Sequence, residues 1–496
     1  LFISHMKNHI NPNIFRAYDI RGIAMTENAG QKGQKADLTK ETTEIIGFAA
    51  CSYMREKYGA RNMLVGRDNR LHSEKLQKAF IKGARRSGMD VMDMGLTTSP
   101  LMYYTVCRTG VDSGVNITAS HNPKEYNGIK IVGKNAHSVC GEELQEILKL
   151  ASKLQKKSDK KTSSGVKSGV KIGTLGANTS FFNEYTEDIK KRIKISRPLK
   201  IAVDAGNATA GKFAPTLLRG VGCEVIELYC NLDGNYPNHE ANPEEEKNMR
   251  DLAATVKKQG CDLGIGFDGD GDRIGIVDER GHHYSADYLL LLLARDLLAE
   301  CPGSTIVFDV KTSQVVIDEI KRLGGNPVMS KTGHSFIERI MHEINAPLAG
   351  ETSGHMFFGK EYYDYYGFDD AFFAACKLLE IFSKFNGTFS EQFANLPKIE
   401  TTPEYKAKCP DDKKFEIVRE LTDYFTRKHR CITIDGVRVN FDTNSWGAVR
   451  CSNTSPNLTL RFEAPNKQKL QEIKKVFFEK LKDYPEVDLS WYKHEN

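Results

Sequence analysis

The chain has 496 residues, 40% hydrophobic and 27% charged, with 70 Lys and Arg against 65 Asp and Glu and a formal net charge of +5. That balance excludes a wholly disordered chain and fits a globular protein long enough for roughly three or four domains. So small a basic surplus gives no ground for a nucleic-acid partner, which would call for basic residues gathered on one face, but it suits a small anionic substrate. The longest apolar run, residues 288–294, is far short of the roughly 20 residues that span a bilayer, so no membrane partner is expected. The 11 cysteines are scattered and form no CxxC pair or zinc spacing, which predicts reduced thiols. The first residues, LFISHMKNHINPN, lack the basic head, apolar centre and cleavage site of a signal peptide, and a cytoplasmic protein is expected.

In chain order, one pattern recurs three times: an apolar strand ending in a polar turn, a helix, a glycine and second strand, another helix, and a third strand ending in a polar loop. The first strands are MLVGRDNR (63–70), KIAVDAGNAT (200–209) and TIVFDVKTS (305–313). The second strands lie in SGMDVMDMG, VGCEVIELY and LGGNPVMSKTG, and the third end in DSGVNITASHNP, CDLGIGFDGDGD and NAPLAGETSGH. Alternating strands and helices predict mostly parallel sheets, with ligands beyond the carboxyl ends of the strands. Residues 151–180, rich in Lys, Ser and Gly without a sustained apolar period, read as a helix end and linker. From about residue 400 the pattern changes. VRVNF and WGAVRCSNTSPNLTLRFEA, followed by Leu470, Ile473, Val476, Phe477 and Leu481 on one helix face, predict a smaller antiparallel sheet backed by helices.

The polar loops carry the chemistry. FDGDGDR sets Asp268, Asp270 and Asp272 two apart, and carboxylates this close repel one another unless a cation joins them. Oxygen-only ligands select Mg2+ or Ca2+. An EF-hand would share the Asp-x-Asp-x-Asp start and a Glu at its twelfth position, Glu279, but Arg273 stands where that loop needs glycine. Ser120 in TASHNP is either a turn residue capping the chain or a nucleophile. A carboxylate-held cation favours a serine that carries a phosphoryl group, with Asn122 and Pro123 fixing the turn and Lys130 offering a cation or proton. Arg450, Ser452, Asn453 and Thr454 in RCSNTSP offer a fork and neutral donors for a phosphate, or else form a polar hairpin turn. Glu351, Ser353 and His355 in GETSGH share one side if that loop is extended, and suit sugar hydroxyls. KTGHS adds Gly333 and His334.

These motifs together with FRAYDIRG (15–22), in this order and spacing from about residue 11 to 485, resemble the α-D-phosphohexomutase family, most closely its bacterial phosphomannomutase/phosphoglucomutase members. The resemblance implies an α/β protein of four domains, three related α/β domains and a C-terminal TATA-box-binding-protein-like α+β domain. They would span 1–175, with the linker-like 151–180, then 176–282, 283–398 and 399–496. It implies a phosphoserine at Ser120, and Mg2+ held by Asp268, Asp270, Asp272 and the phosphoryl oxygen on Ser120. His121, Lys130, Arg21 and His355 would serve the reaction centre, with Tyr18 lining it. Arg273 and Lys311 would contact the sugar phosphate, Gly333 and His334 the sugar, and Glu351 and Ser353 its hydroxyls. Arg450, Ser452, Asn453 and Thr454 would hold the phosphate that is not reacting, with Cys451 turned away. The expected reaction exchanges a phosphoryl group between C1 and C6 of a hexose phosphate through glucose 1,6-bisphosphate or mannose 1,6-bisphosphate, in a monomer. GETSGH leaves glucose and mannose phosphates both open, with a phosphoglucosamine mutase as alternative. A phosphatase would want a second metal, for which the sequence offers no ligands.

Overall fold

The computed structural model describes residues 9–24, 35–159, 171–453 and 455–494. Two compact units divide the chain: Leu1–Ala286 with Ser353–Ser390, and Asp287–Thr352 with Glu391–Asn496.

The first unit holds two sheets. One contains β1 (Ile20–Ile23), β2 (Asn62–Arg67), β3 (Asp90–Leu96), β4 (Gly114–Ile117), β5 (Tyr126–Val132) and β6 (Leu175–Ala177), in the order β1-β5-β4-β2-β3-β6. The other contains β7 (Lys200–Asp204), β8 (Glu224–Leu228), β9 (Leu263–Phe267), β10 (Ile274–Asp278) and β11 (His283–Tyr284), in the order β11-β10-β9-β7-β8. In the second unit β12 (Thr305–Asp309) lies between β13 (Asn326–Ser330) and β14 (Leu348–Gly350). The strand β15 (Met356–Phe358) falls in the first unit.

The recurrence read from the sequence is therefore a repeated topology. In each repeat the first strand is central, and the second and third flank it in parallel register. Helical crossovers make that arrangement possible, because parallel neighbours cannot be joined by a tight turn. The sequence pattern omits the return strands: β5 runs antiparallel to β4, and β10 antiparallel to β9. TASHNP and DGDGDR are thus hairpin loops, each pinned at both ends by a strand.

The segment read as a linker is partly structured. The helix Glu142–Asp159 enters it, and 175–177 form the edge strand β6, too short to show a period; residues 160–170 lie outside the described residues.

The C-terminal part of the second unit has β16 (Glu400–Thr401), β17 (Tyr405–Lys408), β18 (Arg430–Ile432), β19 (Val437–Asp442), β20 (Ser445–Cys451) and β21 (Asn457–Ala464). They form an antiparallel sheet ordered β16-β21-β20-β19-β18, with β17 also beside β21. Helices Lys414–Thr426 and Lys467–Leu481 bury Leu421, Phe425, Ile473, Phe477 and Leu481 with Val437, Val449 and Phe462 of the sheet. Val476, expected on that face, is 38% exposed, and Phe478 is buried instead. All 11 cysteines are free thiols, and no helix among the described residues is long and apolar enough to cross a membrane.

Candidate functional site

Ser120 is buried and has a left-handed backbone, φ 52°. Such a conformation costs a non-glycine residue about 1 to 3 kcal/mol. What holds it is Arg70, from the loop that follows β2. Its guanidinium donates to Ser120 O at 2.7 Å, Asn122 O at 2.6 Å, Pro123 O at 2.7 Å and Tyr126 O at 3.1 Å, while its Nε donates to Asp68 at 3.1 Å. Charge-assisted bonds contribute about 1.5 to 3 kcal/mol each, so this set outweighs the strain. Arg21 adds a second clamp, donating to Asn122 Oδ1 at 2.6 Å and to Asp19 at 2.6 Å. Tyr18 is half-buried and within electrostatic reach of Arg21.

The aspartate hairpin meets this loop at backbone distance: a Cβ on Gly269 would stand 2.2 Å from Ser120 O, so only glycine fits. Ser120 Oγ donates to Asp268 Oδ2 at 2.5 Å and lies 3.2 Å from His121 Nδ1. Asp268 Oδ1 accepts the backbone N–H groups of Asp272 and Arg273 at 3.0 and 3.1 Å. Asp270 Oδ2 accepts from Ser99 Oγ at 2.6 Å. Lys130, on β5, lies 2.8 Å from Asp270 Oδ2 and pairs with Asp272 Oδ2. Burial works against its charge, but Asp270 and Asp272 prevail and hold its pKa well above the ordinary value.

All three aspartates are buried. Burial, then Asp272 and Asp270, push Asp268 well above the carboxylate range; burial also acts on Asp272, but the cations Lys130 and Arg273 hold it well below. Three carboxylates packed this way do not all keep their charge without a cation. Their oxygens lie within 4.8 Å of one another. Asp270 Oδ1 and Asp272 Oδ1 are buried and accept no hydrogen bond from the described residues. The donor set fits a hard divalent cation. Glu279, the rival twelfth-position ligand, instead accepts from Ser390 Oγ at 2.6 Å and Ser390 N at 3.1 Å.

GETSGH does not run extended. Residues 352–354 turn, with Gly354 at φ 108° and a Cβ there only 2.6 Å from Ile274 O. His355 Nδ1 lies 2.5 Å from Asp369 Oδ2, and its Nε2 accepts from Arg273 Nε at 2.9 Å, a pattern that assigns the proton to Nδ1. Burial lowers the ring's pKa to about 3, so it is neutral. Ser353 Oγ is buried and has no hydrogen-bond partner among the described residues.

In the second unit Arg450 and Asn453 are linked to the KTGHS loop through Asp435 and Thr332. Arg450 Nε donates to Asp435 Oδ2 at 2.6 Å, and Thr332 N donates to the same oxygen at 3.0 Å. Asn453 Nδ2 donates to Thr332 O at 2.9 Å, which ties the RCSN loop to Gly333 and His334. Gly333 has φ 132° and precedes the helix His334–Glu343, whose first residue is buried. Ser452 O accepts from the buried Lys414 at 2.8 Å. Lys311 Nζ donates to Glu404 at 2.7 Å, and Thr352 Oγ1 to Asp309 at 2.9 Å. Glu351 is buried. Cys451 packs against the C-terminal core, as its strand position predicts. Thr454 lies outside the described residues.

Sequence reasoning missed Arg70, Asp68, Ser99, Asp369, Glu404, Lys414 and Asp435. One signal was available: each first strand ends in an aspartate, Asp68, Asp204 and Asp309, and all three are buried hydrogen-bond acceptors at the head of a polar loop.

A repeated three-strand α/β topology with a buried serine against a three-aspartate hairpin defines a multidomain α/β class whose acidic hairpin fits a divalent cation. The chain matches all four domains of one family: phosphoglucomutase/phosphomannomutase alpha/beta/alpha domain I over residues 12–158, domain II over 183–281, domain III over 285–399, and the C-terminal domain over 404–480. The phosphomannomutase/phosphoglucomutase of Pseudomonas aeruginosa is 41% identical over 471 residues, 95% of this chain and 96% of that protein. The phosphoglucomutase of Neisseria meningitidis is 37% identical over 482 residues, 97% of this chain and 99% of that one. A crystal structure of a phosphoglucomutase/phosphomannomutase family protein from Burkholderia thailandensis superposes with a TM-score of 0.83 at 34% identity, covering 97% of this chain and 99% of its own. The chain belongs to the phosphoglucomutase/phosphomannomutase family and is a phosphohexomutase.

Proposed function

We propose that this chain reversibly moves a phosphoryl group between C1 and C6 of glucose or mannose phosphate, with Ser120 as carrier and a hexose 1,6-bisphosphate as intermediate. The work divides over four domains, 1–175, 176–282, 283–398 and 399–496, in a cytoplasmic monomer. The observation that carries this is Ser120 Oγ, 2.5 Å from Asp268 within the buried aspartate cluster.

In the forward half-reaction a sugar hydroxyl attacks phosphorus on phospho-Ser120. The new O–P bond forms as the P–Oγ bond breaks, the hydroxyl proton leaves, and Ser120 Oγ is reprotonated. Arg70 and Arg21 keep the serine loop fixed while this happens, as positioning. Lys130, an ammonium between Asp270 and Asp272, and His355, neutral beside Asp369, are the groups assigned to proton movement. Asp268, Asp270, Asp272 and an oxygen on Ser120 would hold Mg2+, which when bound neutralises developing charge on the phosphoryl oxygens. The intermediate then turns, and its other phosphate returns to Ser120. Arg450, Ser452, Asn453 and Thr454 grip whichever phosphate is not reacting. Arg273 and Lys311 contact the sugar phosphate, Tyr18 and His121 line the centre, and Gly333, His334, Glu351 and Ser353 address the sugar.

Ser120→Ala tests the carrier. Turnover of glucose 1-phosphate and mannose 1-phosphate in a coupled assay should fall at least about a thousandfold, and intact mass should show a phosphate on the wild type that the variant lacks. Normal turnover by the variant, or a phosphate mapped elsewhere, overturns the assignment.

A further inference from the structure

The loop 231–241 docks its tip on the first repeat: a Cβ on Gly234 would stand 2.7 Å from Asn69 O and 2.9 Å from Leu71 N. Two residues on, Tyr236 has a left-handed backbone, φ 50°. For a bulky aromatic residue that is a costly conformation, kept only where the surroundings impose it. Its ring packs against Arg70, whose guanidinium carbon is 5.3 Å from the ring centre. The same guanidinium holds Ser120 O. The strained loop therefore delivers a phenol to the place where the serine loop is clamped.

The Tyr236 hydroxyl is buried and has no hydrogen-bond partner among the described residues. Phenylalanine would fill the same space without desolvating a hydroxyl, so the fold gains no stability from this oxygen. Burial raises the phenol's pKa; Arg70 opposes the rise, while Asp68, Asp270 and Asp268 add to it. The group is thus a protonated donor within electrostatic reach of two of the three clustered aspartates.

We propose that the Tyr236 hydroxyl serves the cation centre by donating a hydrogen bond to an oxygen bound to the divalent cation, either a water or a phosphoryl oxygen carried by Ser120. This rests on the proposed cation site at Asp268, Asp270 and Asp272. It adds to that site a residue from a loop that supplies none of its ligands, and it explains both the strained backbone and the unspent hydroxyl.

The test compares full-length wild type, Tyr236→Phe and Asp270→Asn, each dephosphorylated and phosphorylated, by calorimetric titration with Mg2+ and by thermal melting with and without it. Metal-free Tyr236→Phe should melt at or above the wild-type temperature, because it sheds an unpaired buried hydroxyl. Its Kd for Mg2+ should rise about two- to tenfold. A rise already present in the dephosphorylated protein identifies the acceptor as a water; one confined to the phosphorylated protein identifies a phosphoryl oxygen. A lower metal-free melting temperature with unchanged Mg2+ affinity in both forms overturns the proposal and makes the hydroxyl a structural bond. Wild-type Mg2+ affinity in Asp270→Asn overturns the cation site itself, whereas weakened binding there with normal binding in Tyr236→Phe removes only the role of Tyr236.

Discussion

The proposed reaction centre in the first unit and the proposed phosphate grip in the second present opposite electrostatic problems. At the centre Asp268, Asp270 and Asp272 crowd together, and Lys130 answers only Asp270 and Asp272. In the grip each cation is set against a carboxylate: Arg450 on Asp435, Lys311 on Glu404, Lys414 on Asp411. The aspartate cluster leaves Asp270 Oδ1 and Asp272 Oδ1 without a hydrogen bond among the described residues, which is where the proposed cation would add positive charge. The proposed grip is near balance and would work by exchange, a phosphate oxygen competing with a carboxylate for a guanidinium or ammonium already in place. The difference separates the two kinds of damage expected. Changes at the centre should act on the chemical step, whereas changes in the grip should act on binding and on retention of the intermediate.

Arg450→Ala puts that separation under the greatest load. Losing a charge-assisted fork worth about 1.5 to 3 kcal/mol should lower kcat/KM by about ten- to a hundred and fifty-fold. Bisphosphate should also escape before it turns, leaving Ser120 unphosphorylated, so added glucose 1,6-bisphosphate should restore much of the rate. A steady-state titration with the bisphosphate checks this. Unchanged KM with no extra bisphosphate requirement would place Arg450 outside the grip.

Arg70→Lys should give the opposite signature. One ammonium cannot replace a fork reaching four backbone carbonyls. The serine loop should loosen while the sugar-binding residues stay intact. We expect kcat to fall about tenfold at unchanged KM, and phosphate transfer onto Ser120, followed by intact mass, to slow by the same factor. A rise in KM without loss of kcat would break the comparison.

How much of this was legible in the sequence follows from what each feature depends on. The repeats were readable because apolar runs and glycines recur with one period, and the aspartate cluster because three carboxylates at spacing two need a cation whatever the fold. The return strands β5 and β10 showed as the apolar run IGIV after DGDGDR and the stretch around Lys130 after TASHNP, but their antiparallel pairing did not, since spacing alone carries no direction. Arg70 is the second arginine of GRDNR, and an arginine in a turn is unremarked until the fold brings residues 120–126 to it. Tyr236 was hidden for the same reason, its strain being a property of backbone geometry and not of composition. The alternating reading of GETSGH failed because Gly354 permits a turn that the spacing of Glu351, Ser353 and His355 cannot reveal.

The smallest effect separates the units by acid sensitivity. His283, half-buried on β11, has its pKa lowered by burial from 6.5 to about 4. The unfolded chain takes up a proton near 6.5 that the folded chain refuses until about 4, so this contribution is complete above 6.5 and lost as pH falls across that interval. Glu404 in the second unit is opposed by burial but held down to about 2 by Lys311. Its contribution is present above the ordinary value of 4.5 and disappears only as pH falls toward 2. Between pH 6.5 and 4.5, then, only the first of these two terms is changing. His239 works against it: burial lowers its pKa, yet Asp204 raises it overall, so that pair gains as pH falls. His283→Gln should remove an acid-induced loss of on the order of 2 kcal/mol, seen as a smaller drop in Tm between pH 7 and 5 than in wild type. His239→Gln should show a larger drop than wild type over the same range. If His283→Gln keeps the wild-type slope, burial of that ring does not govern the acid sensitivity of the first unit, and the contrast with Glu404 fails.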